Sequence, residues 1–279
     1  MTNKSTYKTK KLFANILVIF LSLLMLLPLF WIVVTANKGQ IEVLKEPLKI
    51  IPDKAMFWEN LREVWSRADW LLYFKNTLIL TFSIWLVQML VAIPAGYAFS
   101  NLKFWGKELI FILVLLRLMI TPETTMLSNY MTVLGLNAYD SRVGIMLPYI
   151  VSAQAIFIFR QAFKQIPNSL RESAKIDGCS DFNFMLKVGI PLIKPYIISF
   201  SLVTIVFQWN AFFWPMIVTK SPENRVLPVA MTYFGLKADS GSEWPLTMMA
   251  ALIVMSPLLI LFIVLQKYFV NSFIHSGIK

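Results

Sequence analysis

Six stretches of the chain are apolar for long enough to cross a bilayer, with the polar positions gathered between them. The first, Leu12–Thr35, is interrupted only by Asn15 and small hydroxyl residues. A spanning helix needs about 20 such residues. Lys4, Lys8, Lys10 and Lys11 precede it and imitate the basic start of a signal peptide. The run exceeds the usual signal-peptide core of about 7–15 residues, and no convincing small-residue cleavage site follows, so it reads as a retained helix. The others are Thr77–Phe99, Leu109–Leu134, Val143–Phe159, Tyr196–Val218 and Leu246–Leu265. The third run of the six is the weakest. It is cleanly apolar only over Leu109–Leu116, before Arg117, Pro122 and Glu123 intervene. It is counted because the next run would otherwise start on the wrong side. The predicted fold is an all-α integral membrane protein. It has six transmembrane helices in one domain (1–279), with both termini on one face.

A shorter pattern lies between the first two runs. Trp58, Leu61, Trp65, Ala68 and Leu72 recur at helical spacing, with Glu59, Arg62, Glu63 and Arg67 between them. Such an amphipathic stripe with tryptophans suits a membrane interface. It either packs on the outer ends of the spans or meets an external partner.

Composition agrees with the pattern. The chain is 57% hydrophobic and 15% charged, against roughly 45–50% and about 25% in soluble domains. One soluble core cannot hide that much apolar sequence. A single cysteine, Cys179, excludes an internal disulfide framework, and a single histidine, His275, argues against a His-rich metal site. The net charge of +11 bears on topology rather than on nucleic acid, which is not an expected partner. With the N-terminus inside, the inner segments hold 14 of the 26 basic residues and the outer segments 11, Arg117 lying within a span. Discounting the long segment after the first helix widens that margin, so both termini are assigned to the cytoplasm.

The inner segment 160–195 is the informative one. Pro167 fits a helix start, where its missing N–H costs nothing. Ser169 and Glu172 have capping-box spacing. Gly178 stands where a helix ends in a left-handed residue. Ser180 or Asp181 can cap a second helix, and Pro191 and Pro195 mark the entry to the fifth span. A charged helix–turn–helix between two spans has the shape of a docking element.

Glu172-Ser173-Ala174, three further residues, Gly178, nine more, then Val188-Gly-Ile190-Pro191 resembles the EAA motif of permease subunits in binding-protein-dependent ABC importers. It departs from the pattern at Ser173, which replaces Ala, and conservatively at Val188 and Ile190. The likeness runs along the chain. Ala95-Gly-Tyr-Ala-Phe-Ser-Asn-Leu-Lys-Phe-Trp-Gly106, Ile176-Asp177-Gly178, Trp209-Asn210 and the tail Gln266–Val270 with Ser276–Lys279 are similar to carbohydrate-type permeases of the maltose-transporter second-subunit kind. The resemblance implies a heterodimer with a second permease subunit, two ATPase subunits carrying ATP and Mg, and an external solute-binding protein. It implies a bacterial or archaeal inner membrane. It also implies that the loop docks in a groove of the ATPase, with Glu172, Ser173, Ala174, Asp177, Gly178 and Pro191 as the coupling residues. No phosphate-binding loop is present, since Gly106-Lys107 is followed by Glu108. No catalytic or metal-binding residue and no cofactor is expected on this chain.

Ionisable and amide groups inside the spans are the candidates for the substrate path. Arg117 and Glu123 flank Pro122, and a helix break there would let one of them line a cavity. Alternatively they pair with each other or with the neighbouring permease. Gln208, Trp209 and Asn210 offer amides beside an indole face, which suits a sugar; the plainer alternative is interhelical hydrogen bonding. The expected solute is a mono- or oligosaccharide, with glycerol-3-phosphate as the alternative. A stand-alone transporter or channel is the competing class.

Overall fold

A computed structural model describes residues 4–232, 234 and 243–276, with side chains placed for 11–232, 234 and 243–263. The tail 277–279 and the His275 side chain lie outside the described residues. Every regular element among the described residues is helical. In order these are α1 (Lys4–Ala36), α2 (Gln40–Lys45), α3 (Phe57–Arg67), α4 (Trp70–Asn101), α5 (Lys107–Leu118), α6 (Met126–Gly135), α7 (Arg142–Met146) and α8 (Ala153–Lys164). Then follow α9 (Asn168–Ile176), α10 (Asp181–Phe184), α11 (Ile190–Leu192), α12 (Lys194–Trp209), α13 (Phe213–Val218), α14 (Leu227–Ala230) and α15 (Trp244–Ser276). Three helices are long and apolar enough to cross a membrane: Lys11–Ala36, Trp70–Asn101 and Trp244–Ile263. Two bent pairs bring the number to five if each is one span.

Several predicted runs are broken where the chemistry demands it. Leu109–Leu134 is α5, a turn at Met119–Thr125, and α6. Pro122 lacks an N–H and pushes the residue before it out of helical geometry. The turn recovers some of the lost bonds, with Thr125 N donating to Pro122 O at 3.2 Å and Met126 N to Glu123 O at 3.2 Å. Val143–Phe159 is α7 with a short 3₁₀ turn, Leu147–Tyr149, bent by 46° from α8. Ser152 restarts the helix, its Oγ accepting from Ala155 N at 3.2 Å. Tyr196–Val218 ends early at Trp209. Pro215 would have to sit inside that helix without an N–H, and the Asn210 side chain bonds back to Val206 O at 2.8 Å.

The chain divides into two compact units. One comprises Met1–Asp69 and Met231–Pro257. Within it α1 exposes nearly all its apolar side chains between Leu12 and Leu27. In water that surface would be untenable, so lipid or another subunit must cover it. Lys38, just beyond α1, is fully buried. Its Nζ donates to Glu46 O and Pro47 O, both at 3.2 Å, and lies 5.8 Å from the Trp31 ring. Asn60 of α3 donates to Ala36 O at 2.9 Å and Lys38 O at 3.0 Å. The buried stripe of α3 is Asn60 and Val64. Of the stripe read from sequence, Trp58 and Trp65 face outward, Trp58 being 76% exposed, while Leu61 and Ala68 are half-buried. Leu72 belongs to α4, because Ala68 is extended and ends α3.

The second unit, Trp70–Ala230 with Leu258–Lys279, carries the 160–195 loop. Here α4 crosses α8 with backbones nearly touching. A Cβ on Gly96 would lie 2.7 Å from Phe159 Cβ and 2.9 Å from Arg160 N. Arg160, buried near the end of α8, fixes the crossing. Its Nε donates to Phe99 O at 3.1 Å and its Nη2 to Glu108 Oε2 at 3.3 Å. The guanidinium lies 3.8 Å from the Phe111 ring centre, within cation–π range.

Candidate functional site

The loop folds into two helical limbs joined by a tight turn. Pro167 is the N-cap of the first limb, α9, with φ −57° and ψ 135°. No side chain caps this end, so the capping box expected from Ser169 and Glu172 does not form. Ser169 lies inside the helix, because Pro167 already supplies the extended residue that a cap requires. The other end forms as expected. Gly178 is left-handed at φ +75°. Gly178 N donates to Lys175 O at 3.0 Å and Cys179 N to Ala174 O at 2.9 Å. This pair of bonds is a Schellman turn. Ala174 and Cys179 both pack on the core below it. Ser180 then caps the second limb, its Oγ accepting from Asn183 N at 3.3 Å.

That limb runs through α10, a π-helical stretch at Met185–Gly189, and α11. It meets α12 at 74°. Gly189 is pressed on α8: a Cβ there would lie 2.9 Å from Phe163 Cε1. Pro191 is exposed in α11, and Pro195 falls in the first turn of α12.

Burial sorts the predicted coupling residues into two groups. Glu172, Ser173, Asp177, Gly178 and Pro191 are exposed. Ala174 instead faces inward, against a core containing Tyr97, Phe163 and Phe184. In α9 only Arg171 and Ala174 are not exposed, and Ser169, Glu172, Ser173 and Ile176 among the exposed residues share one face at i, i+3, i+4, i+7 spacing. Ile176 is 86% exposed and Phe182 on the second limb 64%. Sequence reasoning did not assign these two apolar side chains to the docking face. No local signal separates them from Phe184 and Met185, large apolar residues of the second limb that are buried in the core.

Asp181, at the start of α10, was named only as a possible cap. Its Oδ1 accepts from Arg171 Nη2 at 3.0 Å and from Tyr97 OH at 3.1 Å. Burial acts to raise its pKa, but the bonds from Arg171 and Tyr97 outweigh that and hold the carboxyl below the ordinary range.

The substrate-path candidates do not form one cluster of like exposure. Glu123 is exposed in the turn between α5 and α6. Arg117 donates to Ile120 O at 2.8 Å, and the described residues show no Arg117–Glu123 ion pair. Gln208 and Trp209 are buried near the end of α12 rather than in the middle of a span. The Trp209 ring packs edge-on against Phe74 with centroids 5.6 Å apart. Asn210 is the exposed C-cap of that helix.

A multi-pass helical membrane protein with a capped hairpin between two of its longer segments is the class this geometry defines. Residues 5–275 match the family described as binding-protein-dependent transport system inner membrane component, and the chain belongs to that family. It is 32% identical over 263 residues to the arabinooligosaccharides transport system permease protein AraQ of Bacillus subtilis (strain 168), covering 93% of this chain and 92% of that protein. It is 28% identical over 271 residues to the sn-glycerol-3-phosphate transport system permease protein UgpE of Pectobacterium atrosepticum, covering 95% and 96%. Its fold matches a chain of the crystal structure of a bacterial ABC transporter involved in the import of the acidic polysaccharide alginate. That match has a TM-score of 0.78 at 23% identity and covers 96% of this chain and 99% of the other.

Proposed function

We propose that the chain forms half of the translocation path of an ATP-driven sugar importer and takes its mechanical input through the 160–195 hairpin. The observation that carries the reading is the hairpin itself. Its Schellman turn at Gly178 ends a helix that presents Glu172, Ser173 and Ile176 on one exposed face, and Glu172, Ser173 and Gly178 stand at the spacing of the family motif. A helix laid into a groove of a partner uses such i, i+3, i+4 anchors. ATP and Mg would sit on two partner ATPase subunits. A second permease subunit would complete the path, and an external solute-binding protein would deliver the solute. In this reading α5 and α6 together make one broken span, which gives six spans with both termini and the hairpin in the cytoplasm.

A sugar is favoured by the likeness to a relative named for arabinooligosaccharides. Glycerol-3-phosphate stands as the second reading because relatives named for it match nearly the whole chain. The two are separated by purifying the complex through a tag on this chain and adding its solute-binding protein. ATPase subunits should co-purify, and neutral arabinotriose should stimulate hydrolysis where glycerol-3-phosphate does not. Stimulation by glycerol-3-phosphate alone would reverse the substrate assignment. Purification without an ATPase subunit would remove the importer reading altogether.

A further inference from the structure

One carboxylate oxygen ties three elements of the second unit together. Asp181 Oδ1 on α10 accepts from Arg171 on α9 and from Tyr97 on α4. The loop is joined through the chain to α8 and α12, but α4 precedes it by some 60 residues. Asp181 thus gives the hairpin a polar link to a helix it does not adjoin in sequence. The link is firmly seated on the α4 side. Tyr97 is buried, its ring edge-on to Phe163 at 5.3 Å and tilted against Phe184 at 6.4 Å. It is also seated on the hairpin side. Arg171 reaches Asp181 through Nη2 at 3.0 Å, and the buried Nε of the same guanidinium meets no acceptor among the described residues. Bonds to an ionised acceptor are stronger than neutral ones, and these two stand at 3.0 and 3.1 Å, within ordinary hydrogen-bond range.

The position matters as well as the strength. Asp181 lies three residues beyond the Gly178 turn, on the limb that a displaced hairpin would swing. Energetic coupling between distant sites runs through rigid elements and hydrogen-bonded networks of this kind. We infer that Asp181, acting through Tyr97, is a positioning residue that carries displacement of the hairpin into α4. The inference rests on the coupling role proposed for the loop, and the test separates the two.

Reporter cysteines at exposed positions, Leu90→Cys on α4 and Val203→Cys on α12, are placed one at a time in the assembled complex. The background is Cys179→Ser. Labelling rates are compared with and without trapping by ATP and vanadate. Trapping should change both rates when Tyr97 and Asp181 are intact. With Tyr97→Phe, which keeps the ring and removes only the hydroxyl, the response at position 90 should shrink roughly fivefold, the low end of usual coupling strengths. The response at position 203 should persist. Asp181→Ala should act in the same sense. Equal responses at both positions in Tyr97→Phe would overturn the inference. Loss of both would also overturn it, because that is what a general structural defect produces. Gly178→Val serves as the control for the underlying reading: if it leaves both responses intact, the loop is not the coupling element at all.

Discussion

Gly178→Val should leave the chain inserted and at normal abundance, yet lower solute uptake by the assembled importer about tenfold or more. The residue sits at φ +75°, a region that costs an L-residue roughly 1–2 kcal/mol and a β-branched one more. A change of about 1.4 kcal/mol is already tenfold in an equilibrium. The cause is backbone conformation rather than crowding within the chain, since a Cβ there would meet nothing within 4 Å. Asparagine tolerates the left-handed region, so Gly178→Asn should retain most of the uptake. The check is uptake and hydrolysis measured on the same reconstituted complex. Equal loss in both variants would show that the turn's handedness is not what matters.

Gly96→Val should be the most destabilising single change considered for this fold. Its new Cβ would stand 2.7 Å from Phe159 Cβ and 2.9 Å from a backbone nitrogen, both on α8. Neither atom belongs to the flexible end of a side chain, so α4 and α8 must move apart. Overpacking commonly costs about 1–3 kcal/mol, and a backbone contact places this site at the upper end. Trimming Phe159 to Leu should not rescue the variant, because the offending Cβ remains. Thermal unfolding in detergent is the measure. A melting temperature equal to that of the unaltered chain would contradict the close crossing.

The contrast between these sites and others shows what sequence can reveal. The Gly178 turn and the Ser180 cap were legible because each is decided within four or five residues. The Ser169–Glu172 box was misread because two local signals competed and Pro167 won. The α3 stripe was read as an interface face bearing tryptophans, and the buried pair Asn60 and Val64 was not singled out because Asn60 is polar. In the structure Val64 is buried while Trp58 lies outward. The early end of α12 was written in Pro215 but was hidden within an apolar run. The Asp181 link could not be read at all, because its partner Tyr97 is 84 residues away and no spacing rule connects them. Likewise Ala174 was named a coupling residue from its motif, and only the packing of α9 on the core of Tyr97 and Phe163 shows that it faces in.

The hairpin is the surface proposed to take the push of an ATPase subunit. Crosslinking from its most exposed apolar side chain tests this most directly. With Ile176→Cys in a Cys179→Ser background, a short thiol-reactive crosslinker applied to the transporting complex should join this chain to the ATPase subunit. The same cysteine should resist a membrane-impermeant label added outside intact cells. An actively transporting complex that gave no such adduct, and whose position 176 was labelled from outside, would contradict the account.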